Sequence, residues 1–185
     1  LPTPILNSIN GGVHAGNNLA FQEFILIPTG AKSFIEAMRM SVEVYKTLKN
    51  VIADKYGKSS TNVGDEGGYA PPLNQTREAF TLIETAIKKS GYELGTDFHL
   101  GTDAASSEFY DSDKKVYRID NKELTSGELM DYYESLANEF KLIYLEDPFD
   151  EEDFESFSEI TKKLGNKLLI VGDDLYATNV NYLIT

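Results

Sequence analysis

The sequence has 185 residues, enough for about one domain. Its 17 Lys and Arg against 30 Asp and Glu leave a formal net charge of −13. At 41% hydrophobic and 25% charged residues the chain can bury a core and is not intrinsically disordered, and its acidity argues against nucleic-acid or anionic-membrane binding. The absence of cysteine excludes a disulfide scaffold, a Cys-ligated zinc site and a thiol nucleophile.

In chain order, short apolar segments at Ile5 to Ile9 and Phe21 to Ile27 read as strands. A helix follows from Ser33 to Lys55. Phe34, Ala37, Met38, Ser41, Tyr45, Leu48 and Ile52 recur there at steps of three and four, and Gly57 is the stop. A second helix runs from Arg77 to Ser90, with Phe80, Ile83, Ala86 and Ile87 inward and Gly91 behind it. Phe98 to Leu100 reads as a strand. After it, Phe109-Tyr110 and Lys115 to Ile119 flank Asp111-Ser112-Asp113 as an inserted hairpin. A third helix opens at Thr125, whose spacing to Glu128 is that of a capping box, and carries Leu129, Tyr133, Leu136 and Phe140 on one stripe. Leu142 to Leu145 is the next strand. A fourth helix is expected from Glu151 to Leu164, acidic at its start, with Lys162 and Lys163 at its end. Leu168 to Val171 is the last strand, and Asn181 to Ile184 begins another helix. The last three strands alternate with helices, the pattern of βαβ units and a parallel sheet.

Three carboxylates follow those last strands: Asp103, Glu146 and Asp173, separated by 43 and 27 residues. A βαβ unit takes about 30 residues, and the longer step holds the hairpin. Parallel strands share one C-terminal rim, so the three acids converge. Converging carboxylates repel unless a cation joins them, and an oxygen-only set suits Mg²⁺ before Ca²⁺. The competing reading makes such acids N-caps of the next helix. Asp147, with Pro148 in an early helical turn, fits it well.

Two glycine-rich segments, Asn10 to Asn18 and Asn62 to Pro71, each present a titratable group amid glycines, His14 in the first and Glu66, beside Asp65, in the second. Such loops bend around a ligand or form plain surface turns. Gln22-Glu23 interrupts an apolar strand, where an acid must be paired or line a cavity. His99, in an apparent strand, reads as structural.

Together the stretches LNSINGGVHAGNNLAFQEFILIPTGA, NVGDEGGYAP, GTDAASSEFY, YLEDPF and VGDDLYATN resemble the enolase family, in family order and over essentially the whole chain. The resemblance implies an α/β fold: a partial TIM-like, enolase-type barrel truncated after about the fifth strand. Residues 1–185 would then be an incomplete C-terminal catalytic barrel domain, without the N-terminal domain and the last barrel units. About 250 residues are needed to close such a barrel. The resemblance also implies Mg²⁺-dependent, reversible dehydration of 2-phospho-D-glycerate to phosphoenolpyruvate in the longer protein, and an inactive isolated fragment.

By the same resemblance, Asp103, Glu146 and Asp173 match the Mg²⁺ ligands, with Glu146 and Asp173 also facing substrate. Glu66 matches the general acid, Glu23 its acidic neighbour, which also contacts substrate, and Gln22 and His14 substrate-contacting positions, His14 lying on a closing loop and counting with Glu66 and Glu23 among the catalytic residues. The family's base, a Lys on a strand beyond Asp173, is not in this sequence, nor are the Arg, Ser and second Lys that grip the phosphate. The resemblance further implies a cytoplasmic homo-oligomer, a dimer or octamer, with no nucleic acid required. The alternatives are another metal-dependent enolising barrel, or a non-catalytic protein at the cell surface or secreted that binds host proteins.

Overall fold

In the computed structural model, which describes residues 1–184 apart from the side chain of His14, two antiparallel strands lead into a run of β and α elements. The strands are β1 (Leu6–Asn10), β2 (Glu23–Ile27), β3 (His99–Asp103), β4 (Tyr110–Asp111), β5 (Val116–Ile119), β6 (Lys122–Leu124), β7 (Leu142–Glu146) and β8 (Leu169–Val171). The helices are α1 (Phe34–Tyr56), α2 (Thr76–Lys89), α3 (Ser126–Phe140), α4 (Phe154–Leu164) and α5 (Val180–Leu183).

The main sheet has the order β1-β2-β3-β7-β8 and is open at both ends. β1 to β3 pair antiparallel, and β3, β7 and β8 run parallel, as the alternation with helices predicts. The inserted hairpin is larger than expected: β4, β5 and β6 form a three-stranded antiparallel sheet. Asp120 and Asn121, both at positive φ, make the tight turn from β5 to β6, the backbone geometry that two-residue hairpin loops require.

Helix ends follow local chemistry. The Ser33 hydroxyl accepts from Glu36 N at the start of α1, and Thr125 and Glu128 form the capping box of α3. The start of α4 corrects the sequence reading. Its N-cap is Asp153, whose carboxylate accepts from Ser156 N at 3.1 Å, so the helix begins at Phe154 rather than Glu151. Asp147 is therefore not an N-cap and Pro148 lies in a loop, not a helical turn. Any of the acids between Asp147 and Asp153 could have capped a helix locally, and tertiary pairing of Asp147 decided between them.

One face of the sheet packs against the helices. Phe24, Leu26, Leu100 and Leu145 on the strands meet Phe80, Ile83, Tyr133 and Phe140 on α2 and α3 in one buried core. Its centre is aromatic: Phe24 lies edge-on to Phe80 at 4.9 Å, and Phe80 stacks on Phe140 at 5.2 Å. Phe80→Ala is expected to cost about 3–5 kcal/mol, as for other fully buried aromatics. The readout is a lower denaturant midpoint at unchanged m-value.

Candidate active site

The opposite face of the sheet carries the acids. Strand register aligns Glu23 with Asp103, Asp103 with Glu146, and Glu146 with Val171. Residues directly opposite in a sheet point to the same side, so Glu23, Asp103 and Glu146 form a lateral row at one end of three adjacent strands. Glu23 is the first residue of β2, not an interior one as its apolar neighbours suggest; Phe21 and Gln22 precede the strand. Asp173 lies two residues past the end of β8.

Burial, and then neighbouring like charges, perturb the row. Burial, and then the Glu146 charge, push the Asp103 carboxyl up to about 8. Glu23 rises to about 7 through burial first, then the charge of Glu66 and a hydrogen bond with it. Burial also raises Glu146, against the lowering effect of the Tyr144 hydroxyl, which donates to Glu146 Oε2 at 2.7 Å. Ala105 N donates to Asp103 Oδ1 at 2.9 Å.

The two glycine-rich loops meet over this row rather than forming independent surface turns. Asn10 N donates to Tyr69 O, and Tyr69 N to Ser8 O, which ties the second loop to β1. Glu66 is thereby held beside Gln22 and Glu23. Gln22 Nε2 bridges, donating to Glu66 Oε1 and to Asp103 Oδ2, each at 3.4 Å. Asn10 Nδ2 and Asn7 Nδ2 donate to Glu66 Oε2 at 2.8 and 3.3 Å. Behind the loop, the Tyr45 hydroxyl of α1 donates to Gly67 O at 2.6 Å, and its ring stacks on Tyr69. The structure thus brings together Glu66, Glu23, Gln22, Asp103 and Glu146. The His14 side chain lies outside the described residues; its backbone belongs to a short 3₁₀ turn, Gly12–His14. His99 sits at the start of β3, with Nδ1 2.7 Å from Thr29 Oγ1, away from the row.

Asp147 was missed as a site residue. It is buried, at a positive φ of 41°. Its Oδ2 accepts from the backbone N–H groups of Asp173 and Asp174 at 3.1 and 2.9 Å, and Oδ1 from Leu175 at 3.4 Å. The strand-end carboxylate of one unit therefore fixes the loop that carries Asp173 on the next. Burial raises the Asp147 carboxyl while those three N–H groups lower it. Asn7 and Asn10 were missed as well. The only trace in the sequence was Asn10 opening a glycine-rich stretch.

Among the described residues, no group of three or more His, Cys, Asp or Glu side chains stands close enough together to hold a metal ion. Asp103 and Glu146 stand side by side in register.

The family model for the enolase C-terminal TIM barrel domain matches residues 1–185. The chain belongs to that family. It is 54% identical over 183 residues to the enolase of Methanocaldococcus jannaschii, covering 99% of this chain and 42% of the relative. Against the enolase of Thermococcus gammatolerans it is 51% identical over 179 residues, 97% of this chain and 42% of the relative. Against that of Saccharolobus islandicus strain M.14.25 it is 50% identical over 183 residues, 99% and 43% respectively. The chain thus spans less than half the length of these curated relatives. No described helix is long and apolar enough to cross a membrane.

The raised carboxyls fix the sign of a pH dependence. Glu23 and Asp103 ionise near 4 in an unfolded chain but only near 7 and 8 when folded. Between about pH 4 and 8 the folded state binds more protons than the unfolded state, so stability falls as pH rises. Urea midpoints measured in chelator are expected to decline over that window, and the decline to flatten in Glu23→Gln and Asp103→Asn.

Proposed function

We propose that residues 1–185 form part of the catalytic barrel of an enolase, which in the longer protein reversibly dehydrates 2-phospho-D-glycerate to phosphoenolpyruvate and water with Mg²⁺. The observation that carries this reading is the convergence of Glu66, Glu23, Gln22 and Asp103 at the end of β2 and β3. Family membership supports the same reaction.

The reaction removes a proton α to a carboxylate and expels hydroxide, a poor leaving group unless it is protonated as it departs. Glu66 is assigned to donate that proton. The C–O bond then breaks, the hydroxyl leaves as water, and the Glu66 carboxyl is left ionised. Glu23 hydrogen-bonds Glu66 and is held protonated to about pH 7 by burial and the Glu66 charge. Glu23 thereby keeps a proton beside Glu66 near neutral pH. Gln22 and His14 are assigned to bind substrate, with Glu146 and Asp173 facing it.

The donor chemistry fits a hard divalent cation. Asp103 and Glu146 are neighbouring carboxylates, half-buried, whose ionised forms disfavour each other, and a bound cation relieves that repulsion. Asp103, Glu146 and Asp173 are assigned to hold Mg²⁺, Asp173 being presented by a loop that Asp147 fixes. When bound, the ion offsets the negative charge that builds on the substrate carboxylate.

The domain reading is that the sheet continues beyond the strands seen here. Each free edge carries an apolar cavity. One of about 310 Å³ lies against β1 and α1 beside Leu6, Leu26 and Val42. The other, of about 390 Å³, lies between β8 and α4 beside Phe157, Ile170 and Leu175. Open edges with apolar flanks predict that the isolated 185 residues are inactive and prone to associate. A cytoplasmic homo-oligomer is the accompanying proposal for the full-length enzyme.

The test is phosphoenolpyruvate formation from 2-phosphoglycerate by the full-length protein beside its Glu66→Gln variant. Turnover should require Mg²⁺ and fall by about 100-fold or more in the variant, the size of a lost general acid. A folded, full-length protein without turnover would overturn the assignment.

A further inference from the structure

The geometry points to Asn10 as a positioning residue for Glu66: its amide oxygen grips the glycine-rich loop while its amide nitrogen holds Oε2 of the Glu66 carboxyl, so that Oε1 is turned toward Gln22. The inference rests on the reading of Glu66 as the general acid and specifies how that acid is aimed.

Asn10 is fully buried at the end of β1, and both ends of its amide are engaged. Gly68 N donates to Asn10 Oδ1 at 2.8 Å. A backbone N–H can pair only with the oxygen of an amide, so this contact fixes which way the group is turned. Nδ2 then faces Glu66 Oε2 at 2.8 Å and Gln22 O at 3.4 Å. The fit is close: a Cβ on Gly68 would stand 2.7 Å from Asn10 Oδ1.

Asn7 reinforces the arrangement. Its Nδ2 reaches the same Glu66 oxygen at 3.3 Å, while its own Oδ1 is buried without a hydrogen-bond partner. In a regular strand, residues three apart point to opposite faces. Here β1 pairs Asn7 with Ile25 and Ile9 with Phe24, so Ser8 is an extra, bulged residue. The bulge turns Asn7 and Asn10 to one side, the re-aiming that bulges near active sites produce.

Two N–H donors hold Oε2 in place. Oε1 is left facing Gln22, whose Nε2 donates to it at 3.4 Å.

The experiment is a double-mutant cycle in the full-length enzyme, measuring kcat and KM for 2-phosphoglycerate. Asn10→Asp keeps an acceptor for Gly68 N but replaces the donor to Glu66 with an oxygen. It should lower kcat by about 100-fold, as a misaimed catalytic group does, with KM changed by less than about threefold. In a Glu66→Gln background the same substitution should lower kcat by no more than about twofold, because its effect runs through Glu66. A kcat within about threefold of wild type in Asn10→Asp, or equal losses in both backgrounds, overturns the role; the latter marks Asn10 as merely structural. Asn7→Ala, which leaves the Gly68 contact intact, carries the test if Asn10→Asp does not fold. It should lower kcat several-fold with Glu66 present and not at all in Glu66→Gln, and equal losses overturn the role. An inactive wild type would overturn the enolase reading itself, whereas an active wild type with an unaffected variant overturns only the positioning role.

Discussion

The constraint on which the site depends is electrostatic. Strand pairing puts Glu23, Asp103 and Glu146 in one lateral row, and no Lys or Arg is in ion-pair contact with any of them among the described pairs. Salt bridges that do form lie on exposed surfaces, such as Arg39 with Glu43 and Arg77 with Glu139, where such pairs contribute little. The protein tolerates the row through retained protons and hydrogen bonds from neutral groups: the Tyr144 hydroxyl, Ala105 N and the Gln22 amide. A site built this way holds its carboxylates without a protein cation, and Glu23 rises to about 7.

Rigidity comes from the other side of the sheet. The loop after β7 is pinned from beneath: the Tyr133 hydroxyl donates to Pro148 O at 3.0 Å, and Asp150 N donates to the Tyr117 hydroxyl at 2.9 Å. Both tyrosines are fully buried, and both stand edge-on to Phe149. The small sheet inserted between β3 and α3 thus has a structural task, since β5 supplies Tyr117. Buried hydroxyls with satisfied partners make the aromatic core directional as well as apolar.

Much of this was legible in the sequence, for identifiable reasons. Helices α1, α2 and α3 follow from periodicity and capping residues, which are local. The lateral alignment of Asp103 and Glu146 follows from the direction rule for parallel strands, so spacing alone suggested it. What was not legible depends on pairing between distant segments. The bulge at Ser8 exists only relative to β2, so nothing local marks Asn7 and Asn10 as neighbours. Asp147 looked like a helix cap because Asp-Pro before an acidic stretch has that local form. Its partners lie 26 to 28 residues onward. Strand β6 is only three residues, two of them exposed and charged, and carries too little apolar signal to stand out.

Barrels of this kind are usually regarded as modular, each loop at the carboxyl end of a strand free to vary without its neighbours. The three hydrogen bonds that Asp147 accepts from the loop after β8 remove that independence. Exchanging either loop alone would strand a buried carboxylate or three backbone donors. The two units therefore behave as one heritable block, and grafting new chemistry onto this scaffold means moving both together.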